Sequence, residues 1–135
     1  VPIGRRRDWR ATVKILVVDD SRAMRLIIVR QLCQAGFEDA EFLEAGDGVE
    51  ALRVLEKSSV DLILCDWNMP EMNGLELLRE LRAAGCDVVF GFVTSEGTPD
   101  MIKLARESGA SFLISKPFTP MNFRETLVAV GVGIG

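Results

Sequence analysis

Histidine is absent from the 135 residues, so no imidazole is available as a general base. The three cysteines, Cys33, Cys65 and Cys86, are odd in number and show no CxxC spacing. That pattern fits reduced thiols packed as small apolar residues, and with no histidine beside them it leaves nothing suited to zinc. No uninterrupted apolar run approaches the length of a membrane span, and the Arg-bearing start has no apolar segment of signal-peptide type behind it. A cytoplasmic protein is expected. No internal repeat, low-complexity segment or linker marks a second domain. Cations are scarce outside the start: residues 1–14 carry Arg5, Arg6, Arg7, Arg10 and Lys14 against Asp8 alone, which leaves −8 on the remainder of a chain whose net charge is −4. An acidic body argues against nucleic acid as the main ligand and suits a hard cation. The expected organisation is a poorly ordered basic extension over residues 1–13, one packed domain over 14–130, and a tail that frays over 131–135. With 48% apolar residues, such a domain can bury a core without disulfides or metal.

Two kinds of segment alternate. Lys14–Val18 is a short continuous apolar run ending in Asp19-Asp20, the form of a strand buried on both faces. Ser21 then caps a helix with Met24, Ile27, Ile28, Leu32 and Ala35 at helical spacing and Gly36 as its stop. Ala40–Ala45 alternates like an edge strand. Asp47 and Glu50 cap a helix carrying Ala51, Leu52 and Leu55. Asp61–Cys65 is a third strand, and Asn73 with Glu76 repeats the capping pattern before Leu75, Leu77, Leu78 and Leu81, with Gly85 closing. Val88–Val93 is a fourth strand; Thr98-Pro99 starts a helix with Met101, Ile102, Leu104 and Ala105, ended by Gly109. Ser111–Ser115 is a fifth strand, and Thr119-Pro120 opens a last helix with Phe123, Leu127 and Val130. Five such pairs predict an α/β flavodoxin-like three-layer sandwich, a five-stranded parallel sheet of order 2-1-3-4-5 with five helices.

That topology gathers chemistry on one rim. The first strand ends at Asp19-Asp20, the third at Asp66, the fourth at Thr94-Ser95 and the fifth at Lys116-Pro117. Strand ends at the switch point of an open sheet are where such folds bind ligands. A carboxylate is costly to leave inside an apolar strand, so Asp66 is expected where its strand opens onto solvent. Three crowded acids repel, raising the pKa of at least one unless a cation joins them, and an oxygen-seeking ion such as Mg2+ meets that need. Thr94 can donate to a tetrahedral anion and Lys116 can neutralise it, which is the equipment of phosphoryl transfer, with a carboxylate as the nucleophile. Taken singly, Asp19-Asp20 read as helix caps, Thr94-Ser95 as turn residues and Lys116 as a surface lysine. Their coincidence on one rim favours the joint reading.

Asp19-Asp20, Asp66-Trp67-Asn68-Met69-Pro70 with Asn73-Gly74, Thr94-Ser95-Glu96 and Lys116-Pro117-Phe118 together resemble the receiver domains of bacterial two-component response regulators. The match runs from about Lys14 to Val130, and Asp66 to Leu78 is similar to stand-alone chemotaxis regulators of the CheY type. The resemblance implies that Asp66 accepts a phosphoryl group from a sensor histidine kinase. It implies that Asp20, Asp66 and the main-chain carbonyl of Asn68 bind Mg2+, with Asp19 acting through water. Thr94 is then the switch hydroxyl, Lys116 the cation paired with Asp66 or its phosphate, and Asn68 and Glu96 the neighbours that set the phosphate lifetime. A cis peptide before Pro117 is also implied.

One departure stands out. The family places Tyr or Phe three residues before the lysine, where this chain has Leu113, with Phe112 beside it. Adjacent strand residues point to opposite faces, so Phe112 cannot take that role without a backbone adjustment; Leu113 is expected to pack and Phe112 to cover a neighbouring surface. The expected output is a protein contact on the face of the fourth helix, fifth strand and fifth helix, since no DNA-binding, catalytic or other output segment is read after Val130; neither nucleic acid nor membrane is expected as a direct partner, nor a small-molecule substrate beyond phosphodonors. A receiver belonging to a larger regulator differs only in output. A Mg2+-dependent aspartyl-phosphate hydrolase would need an added acid or base and a substrate pocket, and a flavin binder would need a phosphate cradle where Asp19-Asp20-Ser21-Arg22 stands.

Overall fold

A computed structural model describes residues 12–132; residues 1–11 of the expected basic extension and 133–135 of the expected tail lie outside the described residues. Strands β1 (Lys14–Val18), β2 (Glu41–Ala45), β3 (Leu62–Cys65), β4 (Val89–Thr94) and β5 (Phe112–Ser115) alternate with helices α1 (Arg22–Leu32), α2 (Gly48–Lys57), α3 (Gly74–Ala83), α4 (Pro99–Glu107) and α5 (Pro120–Ala129). Every strand pair is parallel and the order is β2-β1-β3-β4-β5, as the alternation predicts.

The period-2 geometry of a strand divides each apolar run between two cores. Ile15, Val17, Leu62, Leu64, Val93 and Ile114 face α1 and α5, where Ile28, Leu32, Phe123 and Leu127 close the layer. Leu16, Val18, Ile63, Cys65, Phe90 and Phe92 face α2, α3 and α4. Burying each large side chain contributes about 1.5–3 kcal/mol over leaving it exposed, which is why β1 and β3 tolerate no interior polar residue. β2 carries exposed Glu41 and Glu44 at the sheet edge.

Polar residues start the helices as expected. Ser21, Asp47 and Thr98 each accept the main-chain N–H three residues on, at 3.1, 2.8 and 3.2 Å. The reciprocal exchange of a full capping box occurs at Asn73–Glu76 and Thr119–Asn122. Within the turn Cys33–Phe37 that follows α1, Gly36 takes φ 112, outside the helical range, and so interrupts the helix as expected of a stop. Other expectations need adjustment. Asp61 lies just outside β3, where its carboxylate accepts the Lys14 N–H at 2.8 Å. Ile27 is 43% exposed and Ile102 and Leu104 are 37% and 36% exposed, because helical spacing spreads apolar residues over a wider arc than the sheet covers. Val132 is buried beside Phe123 and Leu127, and its N–H donates to the Leu127 carbonyl at 2.9 Å, so the chain is held through Val132 rather than fraying from Gly131.

Candidate functional site

The rim at the strand ends is built by main-chain bonds between neighbouring strands. The Asp66 N–H donates to the Val18 carbonyl at 2.9 Å, the Asp19 N–H to Ala45 at 3.1 Å, and the Lys116 N–H to Thr94 at 2.8 Å. Each link pins the first residue past one strand to the end of the next. Side chains of Asp19, Asp20 and Asp66 consequently converge, with one carboxylate oxygen from each lying within 4.8 Å of the others.

These three acids occupy different environments. Asp19 is buried at 2% exposure; one of its oxygens accepts the Ser21 N–H at 2.9 Å and the other faces Lys116 Nζ at 3.4 Å. Asp20 is exposed. Asp66, expected at a solvent-open strand end, is more enclosed than that, with 14% side-chain exposure; Oδ1 accepts the Trp67 N–H at 2.7 Å and Oδ2 lies 3.5 Å from Lys116 Nζ. Burial raises the Asp66 pKa above the ordinary carboxylate range and the Asp19 charge adds to the rise, while Lys116 and the Trp67 N–H oppose it. Repulsion among the acids was the expected cause; desolvation is the larger one. Burial also pushes the Cys65 thiol well up, with Asp66 and Asp19 adding to it, so this cysteine stays a protonated core residue.

Thr94 is fully buried at the end of β4, and its Oγ1 accepts the Glu96 N–H at 3.3 Å. Asn68 is exposed, and its Nδ2 donates to Glu96 Oε1 at 3.0 Å, so a direct hydrogen bond joins the loops that follow β3 and β4. The Lys116–Pro117 peptide is cis. Phe112 and Leu113 pack into opposite cores. Phe112 pairs across the sheet with Gly91, and its ring occupies the space that a Cβ at Gly91 would need. Leu113, with Ile102 and Ala105, borders a cavity of about 40 Å³ between α4 and β5.

Sequence reasoning passed over two contributors. Gly74 was legible as part of a motif but without a role; a Cβ there would meet the Asp66 carbonyl and the Phe92 ring, so glycine lets the start of α3 close on the site. Arg25 donates from Nη1 to the Asp19 carbonyl at 2.7 Å and from Nε to Glu44 at 2.7 Å. A cation six residues beyond Asp19, alone on the half-buried side of α1, was the available signal.

Among the described residues, the donor set at the rim is three carboxylates, faced by the Lys116 ammonium. That composition fits a hard divalent cation such as Mg2+, with exposed Asp20 giving an entry from solvent.

The response regulator receiver domain model matches residues 15–128. A chemotaxis protein CheY homolog of Campylobacter jejuni is 45% identical over 127 residues, covering 91% of this chain and 96% of the relative. Chemotaxis protein CheY1 of Helicobacter pylori is 41% identical over 121 residues, covering 87% and 96%. Among solved structures, CheY4 of Vibrio cholerae superposes with a TM-score of 0.79 at 34% identity, covering 89% of this chain and 99% of the other.

Proposed function

Because the chain belongs to the response regulator receiver domain family, we propose that Asp66 is its phosphoacceptor and that the converging rim is the site of phosphoryl transfer. The protein is a two-component receiver close to the CheY chemotaxis regulators. The observation that carries the assignment is Lys116 Nζ lying between Asp19 and Asp66, 3.4 and 3.5 Å away, with the Asp20 carboxylate beside them.

In the proposed reaction an Asp66 oxygen attacks the phosphorus of a phosphohistidine on a sensor kinase. The O–P bond forms as the N–P bond breaks, and the departing imidazole takes a proton from solvent. Asp20, Asp66 and the Asn68 carbonyl would hold Mg2+, with Asp19 behind them; bound there, the ion neutralises charge on the carboxylates and on phosphoryl oxygens. Thr94 and Lys116 receive the new phosphoryl oxygens as hydroxyl donor and cation. Asn68 and Glu96, hydrogen-bonded to each other, control how water reaches the acyl phosphate and so set its lifetime. Catalysis extends only to the domain's own phosphorylation and dephosphorylation.

Output is proposed through the face of α4, β5 and α5 to a downstream protein in chemotaxis, in the cytoplasm. On that face Ile102 and Leu104 of α4 are 37% and 36% exposed. Among the described residues no helix is long and apolar enough to cross a membrane.

Labelling by a small phosphodonor with Mg2+ tests the assignment. Wild type is expected to take up one phosphoryl group and Asp66→Asn none; equal labelling of the two removes Asp66 from the reaction. Followed after donor removal, Asn68→Arg is expected to lose its label at a rate different from wild type.

A further inference from the structure

We infer that Arg25 is a positioning residue for the acidic pocket, holding the peptide between Asp19 and Asp20 so that the Asp20 carboxylate points into the rim. The inference rests on the proposed role of Asp20 as a direct Mg2+ ligand. The chain leaves β1 at Val18 and enters α1 at Arg22, so Asp19, Asp20 and Ser21 must make the turn. On the Asp19 side the turn is fixed twice, by the N–H bond to Ala45 and by the carboxylate bond to the Ser21 N–H. The remaining freedom is rotation of the peptide plane that joins the two acids. Its carbonyl is taken by Arg25 Nη1 at 2.7 Å. Arg25 is itself aimed by Glu44 on β2, whose carboxylate accepts from Nε at 2.7 Å. The Arg25 side chain is 16% exposed, and its planar fork serves both partners at once, which a lysine ammonium on a flexible stem does not reproduce.

Charge and geometry make opposite demands here. A cation beside three carboxylates weakens binding of another cation, so if Arg25 acted by charge alone, Arg25→Ala would tighten Mg2+. If it acts by orienting Asp20, the same change loosens Mg2+, as outer-shell partners of metal ligands commonly do by about tenfold or more. Glu44 offsets the charge of Arg25, so removing both residues leaves the local charge unchanged and isolates the geometric effect.

The experiment is calorimetric titration of Mg2+ into wild type, Arg25→Ala and the Arg25→Ala/Glu44→Ala double variant, at low and high salt. Both variants are expected to bind Mg2+ about tenfold more weakly than wild type, with the loss persisting at high salt, where exposed charge effects are screened. The Mg2+ concentration giving half-maximal phosphodonor labelling is expected to rise in step, and excess Mg2+ to recover most of the labelling. Wild-type affinity or tighter in the double variant overturns the inference while leaving the phosphoacceptor reading intact. A wild type that binds no Mg2+ overturns the metal-site reading and the inference together. Should Arg25→Ala alone lose its fold, the charge-neutral double variant decides.

Discussion

Asp66 is held in its least comfortable form. Its folded pKa lies above the ordinary carboxylate range chiefly because of burial, so the native state binds that proton more tightly than the unfolded chain does. Stability from this source is fully present below the ordinary carboxylate range and is lost as pH rises through the raised pKa of Asp66. At neutral pH, in chelator, Asp66→Asn is therefore expected to resist urea better than wild type, by an amount within the ordinary range of about 0.5–3 kcal/mol for point changes. The gain should shrink as pH is lowered; a gain that grows instead would show that the Lys116 pairing outweighs burial. Asp19, Asp20, Asp66, Thr94 and Lys116 were all legible in the sequence because each follows an apolar run, and a polar residue at the end of a buried strand is easy to see. Arg25 and Glu44 were passed over, since beyond a cation six residues after Asp19 nothing in the sequence shows a side chain bonding that residue's carbonyl.

Capping signals placed the helix starts well, because Ser21, Asp47, Asn73, Thr98 and Thr119 act on main-chain groups three residues away and need no tertiary information. Which apolar residues of a helix stay exposed was less readable: Ile27, Ile102 and Leu104 obey the spacing of their helices, and only the width of the sheet beneath decides their burial. The pairing of Gly91 with Phe112 belongs to the same class, a contact between two strands that neither strand announces. Gly91→Val is expected to destabilise by about 1–3 kcal/mol through overpacking against the Phe112 ring. Combining it with Phe112→Ala is expected to cost less than the two single changes summed, with a coupling of about 0.5–3 kcal/mol in denaturant melts. Strict additivity would mean that the ring moves aside freely. Leu113, on the other face, keeps the aliphatic packing expected of it and borders a small cavity, so a larger side chain at this position has space on the α4 side.

At the scale of the molecule, strand order was the most readable property, since continuous apolar runs with short connections leave a parallel sheet few alternatives. The proposed Mg2+ site makes a global prediction: at a hundredfold excess over its Kd, Mg2+ is expected to stabilise the folded chain by about 2.7 kcal/mol. Thermal melts with and without chelator measure this, and Asp66→Asn should respond less. No dependence of the melting temperature on Mg2+ would count against a site formed only in the folded state.

The ion pair between Lys116 and Asp19 spans 97 positions of sequence. During synthesis the acids after β1 and β3 emerge long before Lys116, and Lys116 reaches them only when β5 has docked at the sheet edge. Until then the rim lacks the Lys116 ammonium. Contacts so distant in sequence are among the last that folding can close. The site proposed for phosphoryl transfer is therefore complete only in a chain whose fifth strand is already in place.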